Sequence, residues 1–401
     1  MKYGTFRILG VGLALVLAAC GGSGGQSSTS TDTSPIKLGV ITSLSGAYQT
    51  LGTANKAGID IAIDEVNGSG GVNGRKLQVT YQDDRTDPAQ AVIAFNMFSD
   101  EKVTAVLGPV LSDAVLAIKQ GPLQSKKLPV VSLAASDAIV EPVNPNLFMT
   151  PAKASVTADR VVRYLKDQKL TKLGLWYASD NAFATSGYQA TKALAAKNGI
   201  TIADDEPFSA RDTKDFSPLF TKLRASDAQA LLVWVTGGPA VGITKAYKNL
   251  GLKLPLIFSH AQATPLYFGA NATGPASEGV IVPAQIGVMG QSLPDNVSAK
   301  KLAKKLADKY AQTNSGYPPQ FAFDGYIGVQ LLADAMKRKG TKTSEILAGL
   351  ESANLQTPQG TYKMSKSDHS GITVDYVEIG VVRGNALVPT DYANQQFSKL
   401  K

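Results

Sequence analysis

The sequence predicts an α/β protein built as two doubly wound lobes, each around a parallel sheet. Three observations carry that prediction. The 401-residue chain is 44% hydrophobic and 18% charged, a globular composition with apolar side chains enough for sizeable cores. Its length exceeds what one core commonly serves, at roughly 100–200 residues per domain. Short apolar runs alternate with segments of helical period, once before residue 150 and again after it. Such alternation implies parallel strands covered by helices on both faces.

The first block opens with the strand Ile36 to Ile41. A helix over 54–66 places Ile59, Ile63 and Val66 on one face and stops at Asn67-Gly68. Leu77 to Tyr81 is a strand. Asp87-Pro88 reads as a cap followed by a first-turn proline, opening a helix to about Ser99. Val103 to Leu107 is a strand, Ser112 caps a helix to about Leu123, and Pro129 to Leu133 is a strand. The second block repeats the order. Helices are expected over 156–165, 184–197, 218–223 and 239–250, with strands at 173–177, 201–203, 230–235 and 254–258. Helices near 299–312, 322–338 and 344–352 follow, then a β-rich tail over 372–388.

The N-terminus predicts a location. Lys2 and Arg7 precede an uncharged stretch, Ile8 to Ala19, which has signal-peptide length and falls short of the ~20 residues of a spanning helix. It ends Leu17-Ala18-Ala19-Cys20, which resembles a bacterial lipobox. That resemblance implies a signal peptide over 1–19 and lipid modification of Cys20, hence an extracytoplasmic protein held to the membrane by a lipid anchor. The alternative is a buried core cysteine. Residues 20–35 are Gly, Ser and Thr rich and read as a tether, spanning on the order of 20 Å.

Composition excludes several function classes. One cysteine allows no intramolecular disulfide and no CxxC zinc or redox pair. His260 and His369 are too few for a His-rich metal site, so no metal is expected. The net charge is +8, mild over this length, with no run of five Lys or Arg, so nucleic acid is not an expected partner. Phosphate-loop, dinucleotide and HExxH patterns are absent, so no cofactor and no enzyme activity are expected. Asp83-Asp84 is read as a solvated strand end, because neighbouring residues on a strand point to opposite faces.

In open α/β sheets, ligands lie beyond the carboxyl ends of the strands. That rule selects the loops 42–46, 83–87, 108–112, 133–137, 178–183, 236–239 and 259–262. Motifs in and around these loops, Gly39 to Gly46, Gly70-Gly71-Val72-Asn73-Gly74-Arg75, Asp83-Asp84 with Asp87-Pro88, Ala105 to Pro109 and Phe321 to Tyr326, recur in order over about 36–395. Together they resemble the solute-binding proteins of ABC importers of the branched-chain amino acid type, the type I periplasmic-binding fold. The resemblance implies three crossings between lobes, near 150, 282 and 357. One lobe then holds 36–150 with 283–357, and the other 151–282 with 358–401. It also implies a monomer that closes on a small-molecule ligand, separate permease and ATPase subunits, and ligand contacts in the selected loops.

Those contacts map to Ser112, Ala134, Ala135 and Ser136 in the first lobe. Ser112 at a helix start can receive a ligand carboxylate; the bland alternative is an ordinary cap. In the second lobe they map to Phe183, Thr236 and His260. Amino-acid binders of this family tend to carry an acidic residue in the third loop, where this chain has Ser259-His260-Ala261-Gln262. A buried ammonium without a carboxylate partner costs several kcal/mol. Asp113 is expected to face water. The stretch Ser259-His260-Ala261, with Pro283-Ala284-Gln285 and Leu293-Pro294-Asp295, resembles the branch associated with aromatic or other organic carboxylates. The expected ligand is therefore an amino acid or an aromatic or other organic carboxylate. A ligand-sensing lipoprotein of the same fold, working with a signalling partner, is the alternative.

Overall fold

The computed structural model describes Met1 and residues 33–400; Cys20 and the predicted signal lie outside the described residues. The first sheet is wholly parallel. Its strands β1 (Ile36–Thr42), β2 (Leu77–Asp83), β3 (Ala105–Leu107), β4 (Val130–Ser132) and β5 (Leu147–Met149) take the order β2-β1-β3-β4-β5. The connecting helices are α1 (Gln49–Gly68), α2 (Pro88–Asp100) and α3 (Ser112–Gln120). As the cap-and-proline signal predicts, Asp87 accepts the Ala89 N–H at 2.8 Å to start α2.

After α4 (Ala154–Asp167) the pattern recurs. The strands are β6 (Lys172–Ala178), β7 (Thr201–Phe208), β8 (Ala230–Trp234), β9 (Leu256–Phe258) and β10 (Ile281–Gln285). They alternate with α5 (Ala182–Lys197), α6 (Ser217–Ala225), α7 (Pro239–Asn249) and α8 (Pro265–Phe268). The order β7-β6-β8-β9-β10 is parallel throughout and repeats that of the first sheet. Beyond β10 the sheet becomes antiparallel, adding β13 (Val377–Arg383) and β14 (Ala386–Pro389) before the final helix α12 (Asp391–Phe397). Buried Arg160 on α4 binds this edge in place. It donates to the carbonyls of Val377 at 2.7 Å and Val374 at 2.8 Å, and lies 3.1 Å from Glu378. Burial still pushes the Glu378 carboxyl up to about 8, against the pull of Arg160.

Between β10 and β13 the chain returns to the first sheet. It supplies α9 (Ser298–Tyr310), α10 (Gln320–Lys339), α11 (Thr343–Glu351) and a hairpin of β11 (Asn354–Thr357) and β12 (Gly360–Lys363). Glu65 of α1 pairs with Lys305 at 2.9 Å and Lys309 at 3.0 Å, fastening α9. The expected passage near 357 falls later. The hairpin turns the chain back at 358–359, His369 stacks on Phe148 with centroids 3.9 Å apart, and its carbonyl accepts the Met149 N–H at 3.0 Å.

Helices α1 and α10 pack backbone against backbone. A Cβ at Gly58 would strike the Ala322 carbonyl, and one at Gly325 would strike the Asn55 carbonyl. Asn55 donates across the interface to the Phe321 carbonyl at 2.7 Å. Alanine in a helix interior ordinarily stabilises by about 1 kcal/mol over glycine. Here Gly58→Ala should instead destabilise by about 1–3 kcal/mol through overpacking. Urea unfolding measures the sign, and a stabilised variant would refute the close approach.

Candidate functional site

Both sheets change strand direction of travel at their first strand, so loops diverge there and leave a crevice at the carboxyl ends. The two crevices face one cavity, enclosing ≈ 420 Å³ when its open mouth is counted. Ser112, Ala134 and Ala135 line it from the first sheet, and Phe183, Thr236 and His260 from the second. Ser136 does not line it. That residue is buried behind Ser112 and donates its N–H to the Ser112 Oγ at 3.2 Å.

The loops are held by local chemistry. Gly108 has φ of +93°, and a Cβ there would strike the Ile41 carbonyl, so only glycine lets β3 turn this close to β1. Asp83 and Asp84 shape the neighbouring loop, and the expectation of a solvated strand end is wrong. Asp84 is fully buried and accepts from Ser43 at 2.6 Å and from the Thr86 N–H at 3.0 Å. Asp83 accepts the Ser45 hydroxyl at 2.5 Å and the N–H groups of Leu44 at 2.8 Å, Ser45 at 3.1 Å and Arg85 at 2.9 Å; against its partial burial, these hold its carboxyl below the usual range.

Ser112 is the first residue inside α3; the cap position belongs to Leu111, which offers no side-chain acceptor. The first turn therefore carries no side-chain cap and can present its N–H groups to an anion. Because Ser112 Oγ already accepts from Ser136, its hydroxyl proton is left to donate. Asp113 does not face water. Half-buried, it accepts the Ala182 N–H at 3.3 Å through both oxygens, joining α3 of one lobe to the start of α5 in the other.

The opposite wall is aromatic. Phe183 stands in the first turn of α5, which Asn181 caps by accepting the Ala184 N–H at 2.9 Å. Its ring meets His260 edge-on at 5.1 Å and Trp234 at 5.5 Å between centroids. Trp234 is anchored by its indole N–H on Thr191 at 2.9 Å. His260 is fully buried and neither ring nitrogen has a protein partner. Burial drives it down to about 3, so it stays neutral and offers one donor and one acceptor.

Sequence reasoning missed the third wall, the first turns of α10. Gln320, Phe321 and Asp324 all line the cavity. Asp324 is 1% exposed, both carboxyl oxygens lack partners, and burial lifts its carboxyl well above the usual range. Leu51 at the start of α1 completes this side. The lobes touch around the rim. Ser186 of α5 donates to Asp137 at 2.7 Å, the Gln320 N–H reaches the Ala263 carbonyl at 3.4 Å, and Tyr48 packs on Gly237, where a Cβ would lie 2.8 Å from the ring. Among the described residues there is no cluster of His, Cys, Asp and Glu suited to a metal ion, and no helix long and apolar enough to cross a membrane.

The family model described as periplasmic binding protein matches residues 35–377. A leucine-, isoleucine-, valine-, threonine- and alanine-binding protein of Pseudomonas aeruginosa is 26% identical over 376 residues, covering 90% of this chain and 92% of that protein. The branched-chain amino acid transporter substrate binding protein LivJ of Streptococcus pneumoniae, solved with isoleucine, superposes with a TM-score of 0.76 at 24% identity. It covers 88% of this chain and 97% of its own. An ABC transporter solute binding protein of R. palustris, solved with 4-hydroxybenzoate, gives 0.76 at 21% identity over 89% of this chain and 95% of its own. At these identities the solved structures establish the shared fold, type I of the periplasmic binding proteins.

His260 makes a stability prediction. The unfolded chain protonates it near pH 6.5, while the folded chain does not until about 3. The unfolded state thus binds more protons in that window, and stability is lost as pH falls through it. Comparing wild type with His260→Asn isolates the group. Between pH 7 and 5 the wild type should lose about 2 kcal/mol relative to the variant, read from denaturant unfolding at each pH. Parallel pH profiles would show that His260 is not held neutral.

Proposed function

The chain belongs to the periplasmic binding protein family, and we propose that it is the extracytoplasmic solute-binding component of an ABC importer. Its ligand is a small amino acid or organic carboxylate, held between the lobes and delivered to a permease. One observation carries this reading above the rest. The uncapped first turn of α3 opens into a cavity where the His260 ring nitrogens, Gln320 Oε1 and both Asp324 carboxyl oxygens, all buried, have no protein partners. A helix N-terminus favours an anion, and an unpartnered buried polar atom costs about 1–3 kcal/mol unless a ligand or water satisfies it.

The ligand's carboxylate meets the α3 N–H groups and the Ser112 hydroxyl in the first lobe. Closure brings Phe183, Thr236 and His260 over it from the second. Contacts from both lobes make binding and closure one equilibrium, because a ligand shifts the open and closed populations only by its differential affinity for them. The first-lobe carboxylate of Asp113 on the second-lobe Ala182 N–H and the Asp137–Ser186 pair add to the closed side. Hydrolysis of ATP falls to separate subunits. Cys20, at the end of a lipobox-like signal, would carry the lipid that keeps the folded part within a short tether's reach of the membrane.

Mass spectrometry of small molecules released from the purified chain identifies the ligand. Deleting the gene should then abolish uptake of that compound. With the ligand in hand, Ser112→Ala should weaken calorimetric affinity by roughly tenfold, the worth of one hydrogen bond to a charged group. Uptake that survives deletion would refute the transport reading, and unchanged affinity in Ser112→Ala would refute the assigned carboxylate site.

A further inference from the structure

The amino ends of the first sheet form the pole opposite the cleft, and positive charge gathers there. The segments 34–37, 74–77, 100–104, 125–129, 144–146 and 339–345 meet at that end, where β1 to β5 begin and α10 passes into α11. They carry eight Lys or Arg against three acids, Asp100, Glu101 and Glu345. One groove draws together Lys102, Lys126, Lys127 and Lys342, with Thr341 on its wall. Lys102, Lys127 and Lys342 are exposed. Lys126 meets Asp100 at 3.1 Å and Lys342 lies 3.7 Å from Glu345, whereas Lys102 and Lys127 have no carboxylate at ion-pair distance among the described residues. No exposed large hydrophobic side chain lies on these segments.

The folded part takes up its tether at the same pole. Ser34 precedes β1, and Arg75 donates through Nε to the Ser34 carbonyl at 2.7 Å and through Nη1 to the Thr341 hydroxyl at 3.3 Å. The residue at which the tether joins is thus fastened to the wall of the lysine groove, beside Lys342. A tether from Cys20 reaches on the order of 20 Å, so a lipid there would keep this pole near the headgroups. Anionic lipid surfaces attract clustered Lys and Arg within a Debye length, about 8 Å at physiological salt. Because the anchor already holds the chain, the contact is intramolecular and need not be strong.

We propose that this lysine pole is a docking surface for anionic phospholipid headgroups and sets the resting orientation of the anchored protein. The proposal goes beyond the solute-binding reading and shares with it only the lipid on Cys20. Headgroup phosphates accept from the ammonium groups of Lys102, Lys126, Lys127 and Lys342. With no apolar side chain to insert, the contact stays at headgroup depth and is reversible and salt-sensitive. Orientation follows from topology. The strands of the first sheet run from this pole toward the cleft, and the seven residues of β1 cover about 23 Å. Headgroups at the amino ends therefore hold the cleft off the bilayer, where solute arrives. Delivery to a permease then requires letting go of the surface, which a contact made by exposed lysines permits.

Vesicle sedimentation tests this with the full chain carrying Cys20→Ser, which takes no lipid. The vesicles are phosphatidylcholine alone or mixed with phosphatidylglycerol, each at low and at high salt. Binding to phosphatidylcholine alone measures whatever residues 8–19 contribute. Phosphatidylglycerol should raise low-salt binding at least roughly tenfold, and high salt should remove the gain. Lys102→Gln, Lys127→Gln and Lys342→Gln combined should cost at least roughly tenfold, since each lysine near an anionic surface is worth on the order of fivefold. The same neutralisation at the amino ends of the second sheet, Lys169→Gln, Lys172→Gln and Lys253→Gln, should cost less than about threefold. Should a variant not fold, hydrogen exchange of the Cys20→Ser chain on mixed vesicles decides, with added protection expected over 100–104 and 125–129. Equal binding to both vesicles, equal losses from the two triple variants, or protection confined to other segments would each overturn the docking surface. Displacement by inorganic phosphate at matched ionic strength would also overturn it, as the mark of a discrete phosphate site. None of these outcomes touches solute capture, which calorimetry reads separately.

Discussion

The approach of α10 onto α1 is the constraint on which the site depends. Gly58 and Gly325 remove the two Cβ atoms that would hold the helices apart, and Asn55 bridges them through the Phe321 carbonyl. The glycines cost helix stability, so the sequence accepts a local loss to obtain proximity. The return is positional. With α10 pressed onto α1, its first turns form a wall of the cleft and carry Gln320, Phe321 and Asp324 there. A longer side chain at either position would move the carboxyl that has no partner in the protein.

The cleft divides its polar work between two places. At α3 the protein offers donors: backbone N–H groups and the Ser112 hydroxyl. At α10 it offers the Gln320 amide and the buried Asp324 carboxyl group. His260 is neutral because burial outweighs any gain from charging it, and it can serve either side. Phe183 and Trp234 meet its ring edge-on. Most of the rim contacts between the lobes are polar, with Tyr48 packed on Gly237 beside them.

Much of this was legible in the residues because strands announce where ligands bind. Of the seven positions that the family resemblance placed in loops after strands, Ser112, Ala134, Ala135, Phe183, Thr236 and His260 line the cavity. Ser136, the seventh, lies behind the cavity with its N–H on Ser112. Asp324 could not be read that way. It lies on a helix far along the chain from the strand-loop alternation, and only its place in the Phe321 to Tyr326 motif marked it. Asp113 and Asp84 show the complementary difficulty. Acidic residues beside loops look solvated in sequence, and only the fold reveals the N–H groups and hydroxyls that let them be buried. The β5 strand and the β11–β12 hairpin were not read from the sequence.

The antiparallel edge of the second sheet has a consequence for biogenesis. Strand β10 is buried throughout, yet one of its edges is covered only by β13, nearly a hundred residues later. A nascent or partly exported chain therefore carries an open, apolar strand edge until its final segment arrives, and such edges recruit foreign strands. Completion of that lobe is a late event by construction. The interval before the C-terminal residues emerge is the one in which this chain most needs shielding from its neighbours.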